Sequence, residues 1–498
     1  MRERAPSASI GPLSPLADVL AQWKTGEGSL YHRLAASLRD GIRAGRLSGG
    51  TRLPPERRLA EYLEIGRNTV VRAYALLEAD GLVVRRRGSG TLVTTTALGG
   101  GRSRGDLSAV TQASVVVRLV TESAVDSVDL LGAHALLDSE VDGVVREVIA
   151  AVDASHALHQ PGYFPLGYPP LRAAIAAHLS ARGLPTDSDQ VLVTSGAQQA
   201  ITVIGLGLIR GRRNVVIEDP TFPGAIDSFR LAGGRLLSVP LNADGTDLDR
   251  LGALGEDADI AFAYLMPTFH NPTGALMPTT ARQRIAEFAD ATGLVVVEDD
   301  ALAELGLIDQ QPPPVAAFAT SGTVLTIGSL SKLFWGGLRV GWIRGPREVI
   351  GQLGQVKATL DLGSGVVSQL IALRLLEHAS TVRQRRRTQN LESLDHLEGL
   401  LASHLPAWTW IRPVGGLSLW ARLPVGHATD LARIALRHHV AIVPGSVMSP
   451  RGGFDEFVRL PLGRDATTMT LAIQRLTAAW DDYVSASAPS GERLAVVV

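Results

Sequence analysis

The chain has 498 residues, 45% of them hydrophobic, a formal net charge of −1 and no cysteine. This length predicts more than one domain, and the hydrophobic content with 52 glycines is typical of an α/β globular protein rather than a disordered one. The absence of cysteine excludes disulfides and thiolate metal sites, and no metal site is expected. The sequence has no run of 18 uncharged apolar residues and no secretory apolar core, so we expect no membrane span and a cytoplasmic location.

Charge is distributed unevenly along the chain. Between Lys24 and Val93 there are thirteen lysines and arginines but seven aspartates and glutamates, a net charge of +6. The first 23 residues are balanced, so the remainder of the chain carries −7. This difference predicts that the N-terminal part contacts a polyanion and that the rest does not.

Residues 1–24 are rich in proline and are predicted to form a flexible arm. Residues 25–95 then follow the pattern of three helices and a hairpin. Apolar residues recur at four-residue spacing from Leu30, a second helix is expected near Pro55, and a third begins at Arg67 after a short turn. Two short strands separated by glycines predict a hairpin with a basic flank. This order of elements predicts a winged helix-turn-helix domain.

The start of the third predicted helix carries side chains suited to contacting DNA. Arg67, Asn68 and Thr69 lie in its first turn, where side chains and free backbone N–H groups can face a groove. Arg72 follows about one turn later. The hairpin carries three consecutive arginines centred on Arg86, with glycines that allow close approach to a phosphate or to the minor groove. An isolated run of arginines is usually a solvated face, but the position of this run favours DNA binding.

The same segment contains several characteristic stretches. They are Leu30-Tyr31, Arg33-Leu34-Ala35, Gly45-Arg46-Leu47, Leu53-Pro54-Pro55-Glu56-Arg57-Arg58-Leu59-Ala60, Arg67-Asn68-Thr69-Val70-Val71 and Gly88-Ser89-Gly90-Thr91. In these residues the segment closely resembles the GntR-type DNA-binding domain. The resemblance implies DNA contacts from Arg57, Arg67 and Thr69, and from the wing glycine Gly90. Gly66 departs from the family, which usually has serine there, and glycine is the weaker helix N-cap by roughly a few tenths of a kcal/mol.

The remainder of the chain is predicted to be one larger domain behind a linker. Residues 96–125 begin in a glycine-dense stretch and are predicted to form a flexible linker. From residue 126 to about residue 480, predicted strands and helices alternate as in a large doubly wound α/β domain. Residues 481–498 are expected to form a tail.

Several predicted strands of the larger domain end in polar or aromatic residues. One strand runs into Ser195-Gly196-Ala197 at the start of a helix, where backbone N–H groups can bind a phosphate. Later strands end near Phe222, Asn271 and Asp299. Because open α/β sheets bind ligands at the carboxyl ends of their strands, we expect these side chains to meet at one site.

Lys332 is the side chain around which this site is arranged. An apolar strand runs directly into it, and lysine is the only side chain that forms a Schiff base with an aldehyde cofactor, which requires partial desolvation. Ser329 and Arg339 lie three residues before it and seven after it, so both can bind one phosphate. The alternative for this stretch alone is a polar surface turn with an ordinary solvated lysine.

Together these residues supply what one cofactor requires. A buried carboxylate such as Asp299 keeps a pyridine nitrogen protonated, and an aromatic ring such as Phe222 stacks on the pyridine face. An amide such as Asn271 bonds the phenolic oxygen, and Lys332 holds the aldehyde. Taken singly, Asp299 is an ordinary acidic strand end. The ordered set predicts pyridoxal 5′-phosphate (PLP).

Residues 126–480 resemble the fold-type-I aminotransferases. Two downstream stretches match the small C-terminal domain of that family, Arg412-Pro413-Val414-Gly415-Gly416-Leu417-Ser418-Leu419-Trp420 and Val458-Arg459-Leu460. The resemblance implies phosphate contacts from four residues, Gly196, Ala197, Ser329 and Arg339. It also implies that Tyr163 reaches the phosphate of the partner subunit's cofactor in a homodimer. Arg459 would bind a substrate α-carboxylate, a task suited to its fork of donors.

One position departs from that family. Its acidic strand end is normally followed within two or three residues by a tyrosine that bonds the phenolic oxygen of the cofactor. This chain has Ala301 and Leu302 there. We therefore expect weaker cofactor tuning and doubtful turnover, whereas capture of the cofactor needs only Lys332 and the phosphate-binding residues.

A GntR-type winged helix joined to an aminotransferase-like domain resembles the MocR-type subfamily of transcriptional regulators. The resemblance covers nearly the whole chain beyond residue 25. It implies a homodimer that binds operator DNA and senses PLP, alone or with an amino compound held at Arg459. One alternative is a working aminotransferase whose N-terminal domain only localises it, and another is a regulator that has lost PLP and keeps the domain for dimerisation.

Overall fold

The computed structural model describes residues 19–20, 23, 30–43, 47, 51–63, 65–79, 82–86, 90–93, 127–133, 139–151, 159–242, 245–255 and 259–487. The chain separates into two compact units, Met1–Ala113 and Ser114–Val498. The predicted linker, residues 96–125, and the last part of the predicted tail, residues 488–498, lie outside the described residues. The smaller unit precedes the larger one in the chain.

The N-terminal unit contains three helices and a three-stranded antiparallel sheet. Its elements are α1 (Leu30–Arg43), β1 (Arg52–Leu53), α2 (Glu56–Leu63), α3 (Arg67–Ala79), β2 (Val83–Arg86) and β3 (Gly90–Val93). Strand β3 lies between β1 and β2. The three helices and the β2–β3 hairpin confirm the predicted order, whereas β1, which pairs with Thr91 and Leu92, has no clear signal in the sequence.

Apolar residues at helical spacing form the core of this unit. Leu34, Leu38 and Ile42 of α1 are buried, and so is Tyr74 of α3. The Tyr74 hydroxyl donates to the carbonyl oxygen of Pro54 at 2.9 Å, which holds α3 against the start of α2. Burial of each large apolar side chain stabilises the fold by roughly 1.5–3 kcal/mol. This packing fixes the position of the exposed start of α3.

Three residues of the predicted flexible arm belong to the same core. Val19, Leu20 and Trp23 are buried. The carbonyl oxygen of Val19 accepts a hydrogen bond from the Ser37 hydroxyl at 2.6 Å, and a Cβ at Gly41 would lie 2.5 Å from a Val19 methyl group. The flexible arm predicted for residues 1–24 therefore does not extend to these positions, because their apolar side chains are buried in the core of the N-terminal unit.

The larger unit contains a central sheet, a smaller sheet and twelve helices within the described ranges. The helices are α4 (Ser139–Ala151), α5 (Pro169–Ala181), α6 (Ala197–Leu208), α7 (Pro223–Leu231), α8 (Leu248–Gly255), α9 (Thr279–Thr292), α10 (Leu330–Leu333), α11 (Arg347–Asp361), α12 (Val366–Leu376), α13 (Ala379–His404), α14 (Ala428–Arg437) and α15 (Ala466–Ser487). The strands are β4 (Val128–Asp129), β5 (Val191–Thr194), β6 (Asn214–Asp219), β7 (Arg235–Asn242), β8 (Gly245–Thr246), β9 (Ile260–Leu265), β10 (Val296–Asp299), β11 (Val324–Ser329), β12 (Gly341–Arg344), β13 (Thr409–Trp410), β14 (Ser418–Arg422), β15 (Val440–Ala441), β16 (Val443–Pro444) and β17 (Phe457–Pro461).

The central sheet has the strand order β5-β12-β11-β10-β9-β6-β7-β8. Neighbouring strands from β11 to β7 are parallel. Strand β12 is antiparallel to both β11 and β5, so β5 points in the same direction as β11. The carboxyl ends of β5, β6, β7, β9, β10 and β11 therefore meet at one edge, where sheets of this type bind ligands.

Residues on the two faces of the central sheet pack into separate cores. Phe262 and Tyr264 of β9 pack with α6 and α7, whereas Ala263 and Leu265 pack with α9. This follows from the two-residue period of a strand, which alternates its side chains between the faces. Helices therefore cover both faces, as in the doubly wound arrangement predicted for residues 126–480.

The C-terminal part of this unit is built on the smaller sheet. Its strand order is β13-β14-β17-β16, and residues of α13, α14 and α15 pack into one core with it. The short strand β4 pairs with β15, so residues 128–129 belong to this part of the unit. Helix α15 continues to Ser487, and the predicted domain end at residue 480 falls within it.

Within the ranges given above, no helix is long and apolar enough to cross a membrane. In the same ranges, no group of three or more histidine, aspartate and glutamate side chains lies close enough to hold a metal ion.

Candidate functional site

Strand β12 brings the ends of β5 and β11 together. In its register Gly341 pairs with both Ser329 and Thr194. Gly341 must lack a side chain, because a Cβ there would lie 2.7 Å from the carbonyl oxygen of Gly328 and 2.9 Å from the nitrogen of Ala197. Two stretches that are far apart in the sequence therefore form one surface at the edge of the sheet.

The turn from β5 into α6 forms an anion-binding cradle. Gly196 caps α6 at φ 83° and ψ 171°, a backbone conformation that favours glycine, and the N–H groups that follow are free of intrahelical acceptors. Arg339 Nη2 donates to the carbonyl oxygen of Ser195 at 2.6 Å, and a Cβ on Gly196 would approach Nη2 to 3.0 Å. Gly196, Ala197 and Arg339 thus lie together as predicted. Ser329, which is buried, ends β11 on the far side of β12.

Lys332 lies on the short helix α10, directly after β11. Its Nζ donates to the carbonyl oxygen of Ala133 at 3.1 Å. Burial, and after it the positive charge of Arg459, lowers the pKa of the Lys332 amine to about 8, against the opposing charge of Asp299. A lysine with this pKa is partly neutral near pH 7 and can act as a nucleophile. Lys332 therefore has the desolvated environment that the predicted chemistry requires.

Asp299 is the last residue of β10 and is 2% exposed. Its Oδ2 accepts a hydrogen bond from the Tyr264 hydroxyl at 2.5 Å, and its Oδ1 accepts one from the Ala301 N–H at 3.0 Å. Burial raises the pKa of Asp299, while these two donors lower it. Tyr264 remains protonated, because burial and then the charge of Asp299 raise its pKa well above the usual value.

Tyr264 is a residue of this site that the sequence interpretation missed. It lies in the apolar strand β9, where an aromatic ring is expected in the core. The hydroxyl group could have identified Tyr264 as a site residue, because a buried phenol normally requires a hydrogen-bond partner. Ala301 and Leu302, at the position where the resembled family has a tyrosine, are buried and apolar.

Asn271 and Phe222 follow two further strand ends. Phe222 is half-buried and directly precedes α7. The side-chain oxygen of Asn271 is buried and has no hydrogen-bond partner within the described part of the chain. Because leaving a buried polar group unpaired costs roughly 1–3 kcal/mol, this amide is a candidate for contact with a ligand.

Arg459 of β17 is 4% exposed and lies close enough to Lys332 to influence its charge. Its Nη2 donates to the carbonyl oxygen of Leu131, and its Nε is buried without a partner among the described residues. Burial lowers the pKa of Arg459 to about 10, against the negative charge of Asp129, so the guanidinium stays positive at neutral pH. A buried guanidinium with an unused donor suits a carboxylate.

Tyr163 lies on the surface of the larger unit and is 69% exposed. Its predicted role requires a second subunit, so the contact with the partner subunit's cofactor stays a prediction.

The start of α3 in the N-terminal unit presents polar side chains to solvent. Arg67 and Asn68 are exposed and Thr69 is half-buried, in the first turn as predicted. Arg57, on α2, is also exposed. A shallow surface pocket of about 430 Å³ lies between the two helices and is lined by both arginines and Gly66. This surface is open to a large ligand.

Both arginines of this pocket form weak ion pairs with α2. Arg57 Nε lies 3.2 Å from Glu61 Oε1, and Arg67 Nη2 lies 3.8 Å from Glu56 Oε2. Exposed pairs of this kind contribute roughly 0–1 kcal/mol. Either arginine can therefore exchange its ion pair for a contact with a DNA phosphate or base at a small cost in free energy.

The other predicted DNA contacts lie on the same unit. Arg72 is exposed, and its guanidinium lies 5.6 Å from the centre of the Tyr31 ring. Arg86 pairs with Gly90 in the β2–β3 hairpin. The neighbouring wing residues 87–89 lie outside the described residues.

The residues at the edge of the central sheet fit PLP. The cradle of Gly196 and Arg339 suits a phosphate and would be filled by a side chain at position 196. A lysine with a lowered pKa suits an aldehyde. The side-chain amide of Asn271, which carries an N–H donor as well as its unpartnered oxygen, suits a phenolic oxygen. The buried carboxylate of Asp299 suits a protonated pyridine nitrogen.

The chain matches two protein families. Residues 130–476 match aminotransferase class I and II, and residues 30–93 match the gntR family of bacterial regulatory proteins. It is 31% identical to the HTH-type transcriptional regulator YdfD of Bacillus subtilis over 449 residues, which cover 86% of this chain and 92% of the relative. It is 25% identical to the HTH-type transcriptional regulator NorG of Staphylococcus aureus, over 74% and 86% of the two chains.

The larger unit by itself is similar to aminotransferases. It is 36% identical to the 2-aminoadipate transaminase of Thermus thermophilus over 323 residues, which cover 62% of this chain and 80% of the relative. The structure of LysN, an α-aminoadipate aminotransferase of the same species complexed with N-(5′-phosphopyridoxyl)-L-leucine, matches with a TM-score of 0.68 and 31% identity. That match covers 75% of this chain and 96% of the other. The predicted fold class is thus confirmed, and pyridoxal phosphate is the cofactor indicated.

Proposed function

We propose that the chain is a transcriptional regulator, because it belongs to the aminotransferase class I and II family and also carries a gntR-family domain. The MocR-type resemblance predicts this combination. The N-terminal unit binds a double-stranded DNA operator. The larger unit binds PLP at Lys332 and senses this cofactor or an amino compound. The supporting observation is an exposed helix-turn-helix in the same chain as a desolvated lysine beside an anion cradle. Such a regulator acts in the cytoplasm, where bacterial DNA lies.

When bound, PLP supplies an aldehyde that an amine can capture and a pyridine ring that withdraws electrons. The phosphate would be held by four residues, Gly196, Ala197, Ser329 and Arg339. Phe222 would cover the pyridine face, the side-chain amide of Asn271 would donate to the phenolic oxygen, and Asp299 would keep a proton on the pyridine nitrogen. Lys332 would hold the aldehyde through its amine, which is nucleophilic once it has lost its proton.

Capture of added PLP by Lys332 should become faster as the pH rises from about 7 to about 9. The reactive form is the neutral amine, and burial lowers the pKa of Lys332 to about 8, so the neutral fraction grows through this range and then levels off. At saturating PLP, the first-order rate of the absorbance change should rise roughly tenfold from pH 7 to its plateau. A rate that still climbs steeply above about pH 9.5 would contradict a desolvated lysine, because that is the behaviour of a solvated one.

Two cationic groups of the site donate to one short backbone segment. Lys332 donates to the carbonyl oxygen of Ala133, and Arg459 donates to that of Leu131. This segment consists of residues 127–133, which follow the N-terminal unit in the sequence. A ligand that bonds to Lys332 or Arg459 competes for these donors. This competition supports a coupling between ligand binding at the site and DNA binding. The coupling requires that the ligand bind one conformation of the protein more tightly than another.

Arg459→Lys should separate the response to amino acids from the binding of PLP. Arginine holds a carboxylate through two parallel N–H donors and lysine through a single point charge, so affinity for amino acids should fall roughly tenfold to a hundredfold. PLP should still bind, because its phosphate and aldehyde contacts lie elsewhere. The measurement is an absorbance titration of the PLP form with amino acids and with amines that lack a carboxylate.

The control for this titration is Arg433→Lys, which changes an exposed arginine paired with Asp430. The control variant should behave as the wild type does. An equal loss of affinity for amino acids and for simple amines would contradict the role of Arg459 as a carboxylate contact.

Exposed apolar side chains near Tyr163 support the proposed homodimer. Tyr163, Leu362 and Val367 are 69%, 56% and 43% exposed. Their segments adjoin, since a Cβ at Gly363 would lie 2.7 Å from the carbonyl oxygen of Phe164. Contiguous exposed apolar surface is typical of an association site. In the proposed dimer Tyr163 reaches the phosphate of the partner subunit's cofactor.

A catalytically active aminotransferase with an accessory DNA-binding domain is the second candidate function. The 36% identity of the larger unit to 2-aminoadipate transaminase favours it. Ala301 and Leu302 favour the regulator, because they place no hydroxyl beside the phenolic oxygen of the cofactor. Efficient amino-group transfer between an amino acid and a keto acid, together with no DNA affinity, would decide for the enzyme.

The proposed function is tested by measuring DNA binding of one preparation with and without its cofactor. Fragments of the DNA flanking the protein's own gene are screened by fluorescence anisotropy with the free protein, the PLP form and the PLP form with an amino acid. We expect one site bound specifically, with an affinity that changes roughly 5- to 150-fold with the ligand state. If the protein takes up PLP but binds no DNA, the proposal that it is a transcriptional regulator is wrong. A regulator that has lost PLP would bind the operator and gain no pyridoxyl group after borohydride reduction.

A further inference from the structure

We propose that Tyr264 is a positioning residue for the cofactor, whose hydroxyl orients the Asp299 carboxylate and takes up part of its negative charge. Tyr264 thereby determines how firmly Asp299 keeps a proton on the pyridine nitrogen. The proposal rests on the proposed function, since Asp299 faces a ring nitrogen only when PLP is bound. Tyr264 lies outside the motifs that carry the family resemblance and would act on the cofactor only through Asp299.

The register of the central sheet places Tyr264 where it can reach Asp299. Strands β9 and β10 are parallel neighbours, and Tyr264 pairs with Val297, two residues before Asp299. Residues two apart in a strand share a face, so Tyr264, Val297 and Asp299 point to the same side of the sheet. The tyrosine side chain then extends toward the carboxyl end of β10 and meets Asp299 Oδ2 at 2.5 Å.

The ring of Tyr264 and its hydroxyl have separate roles. The ring packs edge-on against Phe229, with 5.4 Å between ring centres, and Phe229 packs in the same way against Phe262 at 5.0 Å. Phenylalanine would satisfy this packing equally well. The hydroxyl, fully buried with the ring, forms its hydrogen bond with Asp299. The oxygen atom of Tyr264 is therefore the part that concerns the cofactor.

Two donors together fix the plane of the Asp299 carboxylate. The Tyr264 hydroxyl bonds Oδ2 and the Ala301 N–H bonds Oδ1. Each carboxylate oxygen can accept a second hydrogen bond, so a ring N–H can still be accommodated. The ionisable groups that act on this pair are Glu218, Asp300 and Lys332. Burial raises the pKa of Glu218 to about 7, so its negative charge grows as the pH rises through neutrality.

The position of this pair has a consequence for the cofactor. The loop after β10 supplies the apolar side chains of Ala301 and Leu302, so it offers no side-chain hydroxyl to the phenolic oxygen. At this end of β10, control of the ring's electrons would therefore act at the pyridine nitrogen, through Asp299. Without the Tyr264 hydroxyl, Asp299 becomes the stronger base and draws the proton from the pyridine nitrogen. The ring then withdraws fewer electrons from the nitrogen of Lys332, which keeps its own proton to a higher pH.

The test compares Tyr264→Phe with the wild type in the PLP-loaded, full-length protein. The visible absorbance of the bound cofactor is titrated with pH, and the release of PLP is followed after dilution. We expect the pH midpoint of the absorbance change to rise by about one pH unit in the variant, and PLP to dissociate from it roughly tenfold faster. Tyr483→Phe is the matched control, because it removes a buried hydroxyl that accepts from the His427 N–H in the small-sheet part of the same unit. The control variant should leave both quantities unchanged.

A second comparison shows whether the effect passes through Asp299. In an Asp299→Asn background, Tyr264→Phe should produce no further shift. A midpoint and a release rate that stay at their wild-type values in Tyr264→Phe would overturn the proposal, and so would an equal shift in the Asp299→Asn background. Borohydride reduction separates this result from failure of the proposed function. A pyridoxyl group on Lys332 in every variant shows that the cofactor site is intact, and its absence from the wild type refutes the site itself.

Discussion

Lys332→Ala should reduce the uptake of a borohydride-stable pyridoxyl group from one per chain to none. The chain contains only three lysines, Lys24, Lys332 and Lys357, among 48 lysines and arginines. Lys357 is buried, and its Nζ is paired with Asp361 Oδ1 at 2.8 Å, so its amine is already engaged. Lys332 combines a lowered pKa with an adjacent anion cradle. Mass spectrometry of peptides from the reduced protein measures this loss directly.

The same substitution should abolish the effect of PLP on DNA affinity while operator binding itself survives. The reason is that a ligand changes the DNA-binding state only through its preference for one conformation, and the variant has lost the bond that creates this preference. Fluorescence anisotropy with and without PLP measures the difference.

Two matched controls keep this prediction specific. Lys24→Arg and Lys357→Arg preserve charge and remove the other two amines, and both variants should be labelled like the wild type. If Lys332→Ala were still labelled, or if its DNA affinity still responded to PLP, the site on α10 would not be the sensor.

Arg67→Ala should abolish detectable operator binding at moderate salt. Arg67 lies in the first turn of α3, is exposed, and pairs with Glu56 at 3.8 Å. A lost arginine contact to a base costs roughly 1–3 kcal/mol, and a homodimer loses two of them, roughly 2–6 kcal/mol in all. Anisotropy at several salt concentrations measures both the affinity and its salt dependence, which falls by about one unit of slope for each lost phosphate contact.

The control for Arg67 is Arg433→Ala, which removes the same charge from an exposed position of the larger unit. This variant should bind the operator like the wild type, and both variants should remain dimeric in sedimentation. Operator binding by Arg67→Ala that persists at moderate salt would contradict α3 as the recognition helix.

Local sequence patterns predict most of the elements in both units. The four-residue apolar spacing from Leu30 and the start of a helix at Arg67 correspond to α1 and α3, because a helix that buries one face needs that period. The predicted strands that lead to Ser329 and Asp299 also correspond, to β11 and β10, because buried strands of a parallel sheet are continuous apolar runs. Both observed strands continue into the polar residues that follow the apolar run. The rarity of lysine was an unused signal for Lys332.

Contacts between distant segments account for what the sequence patterns did not predict. Val19 and Trp23 follow a stretch rich in proline, yet they are buried against α1, since apolar area finds a partner in the folded unit and not in the local chain. Strand β1 is two residues long and forms because it pairs with β3 in an antiparallel arrangement. The Leu131 and Ala133 carbonyl groups likewise meet Arg459 and Lys332 only after the chain has folded.

The sequence by itself determined the two-domain organisation and the helix-turn-helix order, and it singled out Lys332 as the candidate lysine. These inferences depend on periodicity and on residue types that few other chemistries require. The tertiary structure decided which side chains act on the reactive groups. Tyr264 reaches Asp299 through the register of two parallel strands, and Arg459 influences Lys332 through the packing of separate sheets. The pKa of a buried group depends on burial and on charges brought near by folding, and neither is encoded in local spacing.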